Sequence, residues 1–333
     1  METRPSPPAR NGEDPAAPFP PIDVAFPELG RYADGNQGIP YAYSFAAKTS
    51  GPHVLLQALT HGNEVCGAIA LDWLLRQSRA LPPKRGTVTV VFANVAAYSS
   101  FDPSRPFASR CVDEDFNRLW TRTVLDGPRI SDELKRARQL RPLYDDVDFL
   151  LDLHSMSEPC APLAMAGQRR KSVDLARALA VPEHIVVDNG HVAGKRLRDY
   201  EFFDDPDDPR CAMLIECGQH WEASAPAVAK QAVLRFLRHF DMVDEVWLAR
   251  ELDAAPTSPQ RVVEVTTTVT IATDAFRFTS PLHGLQAIHR AGTVYALDGD
   301  TEIRTPHDDC VMIMPTRQPK RGETAVRLGR YLS

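Results

Sequence analysis

Two histidines and a glutamate occupy positions that suit a metal site. His61 and Glu64 belong to an HGNE segment that follows the apolar run HVLLQALT (53–60), and His154 ends a second apolar run, VDFLLDLH (147–154). Both runs predict buried strands, and ligands of open α/β sheets bind beyond the carboxyl ends of such strands. The His-x-x-Glu spacing alone is also that of an ordinary surface helix start. Together with His154 it forms the His2Glu set typical of catalytic zinc, so we predict one Zn²⁺ per chain.

Two further carboxylates accompany these predicted ligands. Asp152 lies two residues before His154 on the same strand face, where it can accept a proton from the imidazole or, alternatively, cap a neighbouring loop. Glu216 ends a third apolar run, AMLIE (212–216). A carboxylate beside a metal-bound water can take its proton and pass it to a departing amine. Without the other residues, Glu216 would be an ordinary charge at a strand end.

A charged segment, RCVDEDFNR (110–118), lies between the two predicted metal-binding segments. Arginine side chains present forked donors that match carboxylates, and one beside a metal can polarise a carbonyl. Arg110, Asn117 and Arg118 therefore suit the binding of a substrate anion and an oxyanion. The alternative is a solvated loop.

The elements that must position these residues alternate between strands and helices. Further strands are predicted at 87–96, 162–167 and 184–188, and helices at 62–77, 131–144, 173–179 and 225–240. This alternation predicts an α/β fold in which helices cover both faces of the sheet. Near Ala254 the pattern changes to a linker followed by short strands. We therefore predict a flexible proline-rich tail (1–21), a catalytic α/β domain (22–253) and a smaller all-β C-terminal domain (261–333).

Composition excludes several classes of protein. The 333 residues carry a net charge of −6 with no basic stripe, which argues against nucleic acid as a partner. No apolar run is long enough to span a membrane, and the N-terminus lacks the apolar core of a signal peptide. Six cysteines without a CxxC pair indicate free thiols. We expect a cytoplasmic protein with no membrane partner.

The segments THGNE, DEDFNR, DLHS and IECG, in this order, resemble the succinylglutamate desuccinylase/aspartoacylase family of the zinc carboxypeptidase-like superfamily. The resemblance covers about residues 53–220. It implies a mixed twisted sheet flanked by helices, with a C-terminal β domain that partly roofs the site. It also implies a role for each residue: His61, Glu64 and His154 bind zinc, Glu216 is the general base and acid, Arg110 faces the scissile carbonyl, and Asn117 and Arg118 grip a substrate carboxylate.

One departure from the family pattern concerns substrate recognition. In aspartoacylase an arginine shortly before the catalytic glutamate helps to recognise the dicarboxylic substrate. Here that stretch reads FFDDPDDPR (202–210), and Arg210 does not occupy the matching position. The four aspartates argue against a strongly anionic second group on the substrate.

The predicted function is hydrolysis of a small N-acyl amino acid, or a related amide, that carries a carboxylate. A carboxypeptidase-type peptidase is the alternative enzyme, and a non-catalytic small-molecule binding protein is the alternative of another class. A homo-oligomer is left open. His220 and Trp221 either line the acyl pocket or pack in the core. The thiols of Cys111 and Cys217 are expected to pack behind the site.

Overall fold

The computed structural model describes residues 19–188, 190–191, 193–253 and 258–332. The predicted tail lies outside this range except for its last three residues. Among the described residues, no helix has the length and apolar character needed to cross a membrane.

Fourteen strands and seven α-helices are found in the described residues. The strands are β1 (Ala42–Ala46), β2 (His53–Ala58), β3 (Thr87–Phe92), β4 (Phe149–Met156), β5 (Leu163–Met165), β6 (His184–Val187), β7 (Cys211–Gln219), β8 (Arg261–Thr270), β9 (Phe276–Phe278), β10 (Ala287–Ile288), β11 (Val294–Asp298), β12 (Thr301–Arg304), β13 (Cys310–Ile313) and β14 (Thr324–Tyr331). The helices are α1 (Cys66–Leu75), α2 (Val95–Ser99), α3 (Arg122–Leu125), α4 (Asp132–Asp145), α5 (Arg170–Leu179), α6 (Ala225–His239) and α7 (Glu245–Glu251).

Eleven strands form one mixed sheet in the order β1-β3-β2-β4-β7-β5-β6-β8-β14-β13-β10. Its centre is parallel, because β2 pairs with β3 and β4, and β4 pairs with β7, all in parallel. A separate three-stranded antiparallel sheet has the order β12-β11-β9. The predicted α/β class with a mixed sheet flanked by helices is confirmed.

Helices cover both faces of the central sheet, and β2 shows why its sequence is apolar throughout. Val54, Leu56 and Ala58 belong to the core that also contains residues of α1, α5, α6 and α7. Leu55 faces the opposite core, which contains residues of α4. Alternating side chains of one strand thus pack on two faces, as expected for a buried parallel strand.

Four of the strands after residue 258 continue the large sheet (β8, β10, β13 and β14), and the other three form the separate small sheet. β8 pairs in parallel with β6, and β14 pairs antiparallel with β8. A domain boundary near residue 254 therefore stays a prediction, and no sheet boundary falls there.

Two predicted elements differ from the structure by four residues at one end. The helix predicted from Gly62 begins only at Cys66, because residues 61–65 form the turn that carries the candidate ligands. The strand predicted over 87–96 ends at Phe92. Asn94 then caps α2 by accepting a hydrogen bond from the Ala97 amide, which is a helix start.

Candidate active site

His61, Glu64 and His154 lie together at the carboxyl end of the parallel strands, where they form what we call the metal-ligand cluster. The Nδ1 atom of His61 is 2.7 Å from Oε1 of Glu64, and the Nδ1 atom of His154 is 2.9 Å from Oε2 of the same carboxylate. One donor atom from each residue lies within 4.8 Å of the other two, and all three residues are buried. The structure brings together the three residues that the sequence predicts to converge, and their role as metal ligands stays a prediction.

Each histidine of the cluster turns its second ring nitrogen to another carboxylate. Nε2 of His154 lies 2.9 Å from Oδ2 of Asp152, and Nε2 of His61 lies 2.9 Å from Oδ1 of Asp115. Such partners fix the imidazole orientation and leave the other nitrogen for a metal. Of the two alternatives for Asp152, the imidazole contact is the one observed. Sequence analysis included Asp115 in the charged segment but gave it no role.

The buried Glu64 carboxylate and His154 imidazole stabilise each other's charged forms. Burial opposes ionisation of Glu64, but the imidazoles of His61 and His154 lower its pKa well below the usual value. Burial likewise opposes protonation of His154, and Asp152 and Glu64 raise the pKa of its imidazole well above the usual value. Two nitrogens and a carboxylate that share one point, each oriented from behind, form a donor set that fits a metal ion.

Gly62 explains how the HGNE turn reaches this position. A Cβ atom at Gly62 would lie 2.3 Å from the carbonyl carbon of Ala97 and 2.4 Å from the carbonyl oxygen of Ser109. These are backbone atoms, which cannot move aside easily. The glycine therefore permits the close packing that holds His61 and Glu64 in place.

The pairing register of β4 and β7 positions Glu216 beside the metal-ligand cluster. Glu216 is paired with His154 across the parallel β4–β7 ladder, and it is 6% exposed. Its Oε2 atom is buried and has no hydrogen-bond partner. Burial, together with the nearby Glu64, raises the pKa of Glu216 to about 8, although His154 opposes this. The result is a carboxylate poised to exchange a proton near neutral pH.

The three residues from the charged segment reach the site, but in different ways. Arg110 contacts Glu64 at 3.3 Å and Asp115 at 3.0 Å, so its guanidinium lies directly over the metal-ligand cluster. Asn117 is buried, and its Oδ1 accepts a hydrogen bond from the Leu197 amide. Arg118 donates to the carbonyl of Asn117. All three predicted residues border the same cavity as the cluster.

This cavity has a volume of about 1090 Å³, at the upper end of the range for small-molecule sites. Its walls come from the catalytic part of the chain, from His61 onward, and from the C-terminal strands and loops. The C-terminal strands and loops contribute Met314, Arg317, Lys320 and Arg327, among others. An apolar part of the wall is formed by Met156, Met165, Leu214 and Met314.

A second charged group was not found by sequence analysis. Asp188 is 2% exposed and receives a two-pronged contact from Arg196, with both nitrogen–oxygen distances 2.9 Å, and a further contact from Arg198 at 2.6 Å. Arg327 approaches it only to 3.8 Å. We call these four residues the Asp188 cluster. Arg196 and Arg327 border the cavity. The feature of the sequence that could have indicated the Asp188 cluster is the presence of charged residues within apolar strands.

Three subsidiary sequence inferences can be compared with the structure. Arg210 stacks on Phe202 and pairs with Asp208, and it does not border the cavity, as expected. Cys217 is fully buried, but Cys111 borders the cavity, because its segment is not a strand. His220 borders the cavity and Trp221 is a fully buried core residue.

Comparison with known proteins agrees with this geometry. The family model described as "Succinylglutamate desuccinylase/Aspartoacylase catalytic domain" matches residues 50–240. A rat N-acyl-aromatic-L-amino acid amidohydrolase (carboxylate-forming) is 33% identical over 105 residues, which are 29% of this chain and 31% of that protein. A probable aspartoacylase of Prochlorococcus marinus (strain MIT 9313) is 34% identical over 142 residues, 40% and 43% of the two chains. The match thus spans less than half of these relatives.

Solved structures show the same fold over most of the chain. Succinylglutamate desuccinylase from Vibrio parahaemolyticus superposes with a TM-score of 0.63 at 17% identity, covering 86% of this chain and 83% of that one. The product-bound ectoine utilization protein EutE (DoeB) from Ruegeria pomeroyi gives 0.63 at 17% identity, with 87% of each chain covered. The family match extends over more than half of the chain and contains every predicted site residue. The chain belongs to the succinylglutamate desuccinylase/aspartoacylase family.

Proposed function

We propose that this protein is a zinc-dependent amidohydrolase that deacylates a small N-acyl amino acid or a related amide. The observation that carries the proposal is the buried His61–Glu64–His154 cluster with Glu216, whose Oε2 lacks a partner, beside it at the wall of a large cavity. One donor set and one proton-exchanging group, both open to a ligand-sized space, are what metal-assisted hydrolysis requires.

His61, Glu64 and His154 would hold the metal, and Asp115 and Asp152 would keep both imidazoles oriented. Zinc bound there supplies a Lewis acid and lowers the pKa of a water molecule. We propose zinc because two imidazole nitrogens and one carboxylate are a set that catalytic zinc commonly uses.

Glu216 is the proposed general base and acid. A group of this kind works best when its pKa lies near the working pH, and burial raises the pKa of Glu216 to about 8. Its Oε2 makes no other hydrogen bond, so it can accept the proton of the attacking water and then donate it to the amine that leaves.

Arg110 is proposed to stabilise the oxyanion, and the contact of its guanidinium with Glu64 at the cluster supports this. Asn117 and Arg118 are proposed to bind a substrate carboxylate. The Oδ1 of Asn117 is engaged by the Leu197 amide, which fixes the side chain and leaves its NH2 group as the available donor.

Relatives favour an N-acyl amino acid as the substrate. The rat and Prochlorococcus proteins are named as an N-acyl-aromatic-L-amino acid amidohydrolase and a probable aspartoacylase, whose names point to the same bond type. We also propose that residues 261–333 act as the roof of the site, since residues near Met314 and Arg327 border the cavity. Five free thiols favour the cytoplasm: Cys66, Cys160, Cys211, Cys217 and Cys310.

A carboxypeptidase activity is the second candidate, and a non-catalytic binding protein is the third. The test is metal analysis of the purified protein together with hydrolysis of two panels, N-acyl amino acids and peptides with free C-termini. We expect about one zinc per chain and turnover of N-acyl amino acids only. Turnover confined to peptides would favour the carboxypeptidase, and metal-free protein without turnover would favour the binding protein.

A further inference from the structure

Arg327 is a buried cation that the proposed chemistry does not use. It lies in β14, where it is paired with Thr268 of β8 and Ile313 of β13, and only 7% of its surface is exposed. It borders the cavity from the C-terminal part of the chain. An arginine in a buried central strand is unfavourable unless its charge is compensated.

The structure gives Arg327 little compensation. Its Nε atom is buried without a hydrogen-bond partner, and the nearest carboxylate oxygen, on Asp188, is 3.8 Å away. That carboxylate is already bound by Arg196 and Arg198 at 2.6 to 2.9 Å. The charge of Asp188 is therefore compensated without Arg327, whereas Arg327 has no closely bound anion.

The pKa of a neighbouring histidine, His191, also indicates an excess of positive charge around Arg327. Burial first, and then Arg118, Arg327 and Arg196, lower the pKa of His191 to about 3. The Nδ1 atom of this cavity residue accepts a hydrogen bond from the Ala193 amide, as a neutral imidazole can. This part of the cavity wall thus favours anions and disfavours another cation.

We propose that Arg327 is an anion-binding residue of the cavity, which holds a carboxylate of the substrate and so extends substrate recognition into the last strand of the chain. The inference rests on the proposed function for the identity of the ligand. The carboxylate could be the one assigned to Arg118, or a second one on the acyl or amine part. A guanidinium suits either, because its fork matches two carboxylate oxygens.

The aspartate-rich stretch at 202–210 does not contribute negative charge to the cavity wall. Asp204, Asp205, Asp207 and Asp208 do not border the cavity. Asp204 and Asp208 pair with Arg169 and Arg210 instead. The stretch therefore does not argue against an anionic second group, since the cations that border the cavity come from other segments.

The test measures binding rather than turnover, in a Glu216→Gln background. Calorimetric titration compares three matched pairs: N-acetylphenylalanine and its α-amide, N-acetylaspartate and N-acetylasparagine, and N-succinylphenylalanine and its succinamoyl counterpart. The first pair reports the α-carboxylate, the second a carboxylate on the amine part, and the third a carboxylate on the acyl part.

We expect Arg327→Met to weaken the acid of at least one pair by about 10- to 100-fold and its amide by less than about threefold, as for loss of a hydrogen bond to a charged group. The affected pair identifies the carboxylate. Arg327→Lys should restore part of the loss, because it keeps the charge but not the fork. Arg330→Met, an exposed arginine on the same strand, is the matched control and should leave all pairs unchanged.

Equal weakening of acid and amide in every pair would overturn the inference, and so would failure of all six compounds to bind. A thermal unfolding transition that is lost in Arg327→Met would also overturn it, because Arg327 would then serve the Asp188 cluster structurally. The proposed function is tested separately by turnover of the wild-type protein. Acid-selective binding without turnover would keep this inference and reject the amidohydrolase.

Discussion

The metal-ligand cluster and the Asp188 cluster are both buried groups of opposite charges, yet they are built differently. In the first, donor atoms of three residues lie within 4.8 Å of one another, and each imidazole is oriented by a carboxylate behind it. In the second, two arginines bind one carboxylate directly, at 2.6 to 2.9 Å. The first arrangement is a donor set that a metal ion can use, and the second is a set of ion pairs between side chains.

The two clusters should therefore differ in function: the metal-ligand cluster should bind the metal, and the Asp188 cluster should stabilise the fold. Removing a donor from the metal-ligand cluster should remove most of the bound metal, whereas removing Asp188 leaves two buried guanidinium groups with Asp199 as their remaining carboxylate partner. Of the two arginines of this cluster that border the cavity, Arg196 is bound closely by Asp188 and Asp199, and Arg327 keeps donors for something else.

Loss of a metal ligand should have the largest effect. We expect His154→Ala to lose most of the bound metal and nearly all activity, because one of three protein donors is removed. His289→Ala, at an exposed histidine that pairs with Asp309, is the control. Metal content is measured by elemental analysis, and full occupancy in His154→Ala would reject the ligand assignment.

Loss of the proposed base should separate turnover from metal binding. Glu216→Gln should keep the metal and the fold but lower kcat by about 10²–10⁴-fold, because the amide cannot accept a proton from water. Glu251→Gln, on α7 and paired with Lys230, is the matched control. Kinetics within a few fold of wild type would transfer the base role to another residue.

Disrupting the Asp188 cluster should lower the stability of the protein without changing its metal content. Asp188→Asn should lower the free energy of unfolding by about 3–5 kcal/mol, because a buried ion pair is broken and Arg196 and Arg198 then share only the carboxylate of Asp199. Denaturant unfolding measures this effect, and metal analysis should still give wild-type occupancy. A loss of metal with unchanged stability would mean that the two clusters are not separate in the way described.

The carboxylates behind the histidines should have an intermediate effect on the metal. Asp115→Asn should weaken metal affinity or activity by about 10- to 100-fold, since a neutral amide holds the His61 imidazole less firmly. Competition with a metal-binding dye measures the affinity. Asp126→Asn, an exposed position, is the control. Unchanged affinity in Asp115→Asn would confine that residue to its ion pair with Arg110.

The smallest effect concerns acid stability. Burial lowers the pKa of His220 to about 4, below the value of about 6.5 in an unfolded chain. The unfolded state therefore binds the proton first, and stability should fall as the pH drops from about 6.5 to 4. In metal-free protein, His220→Gln should show a smaller difference in Tm between pH 7.5 and pH 5 than wild type. An equal difference in both proteins would remove His220 as a cause.

Sequence patterns predicted that His61, Glu64 and His154 converge, because His61 and Glu64 follow one apolar strand and His154 lies within another. His61, His154 and Glu216 come from segments whose hydrophobicity predicts parallel neighbours, and register then brings them together. The helical start at Gly62 was predicted too early, because periodicity does not reveal a turn that packs against another backbone.

The Asp188 cluster could not be predicted in the same way. Asp188, Arg196 and Arg327 meet through the contact of β6, the following loop and β14, which are far apart in the sequence. No short motif marks such an encounter. The role of Asp115 was missed for a related reason, since the three carboxylates at 113–115 offer the same chemistry and only the structure shows which one reaches His61.

The central claim is that amide hydrolysis depends on a metal held by His61, Glu64 and His154, and metal titration of the apoprotein tests it most directly. Chelator-treated protein should be inactive toward N-acyl amino acids, and activity should rise with added zinc until about one equivalent is bound. His61→Ala protein should not recover at that stoichiometry. Full activity of protein shown to contain no metal would contradict the account.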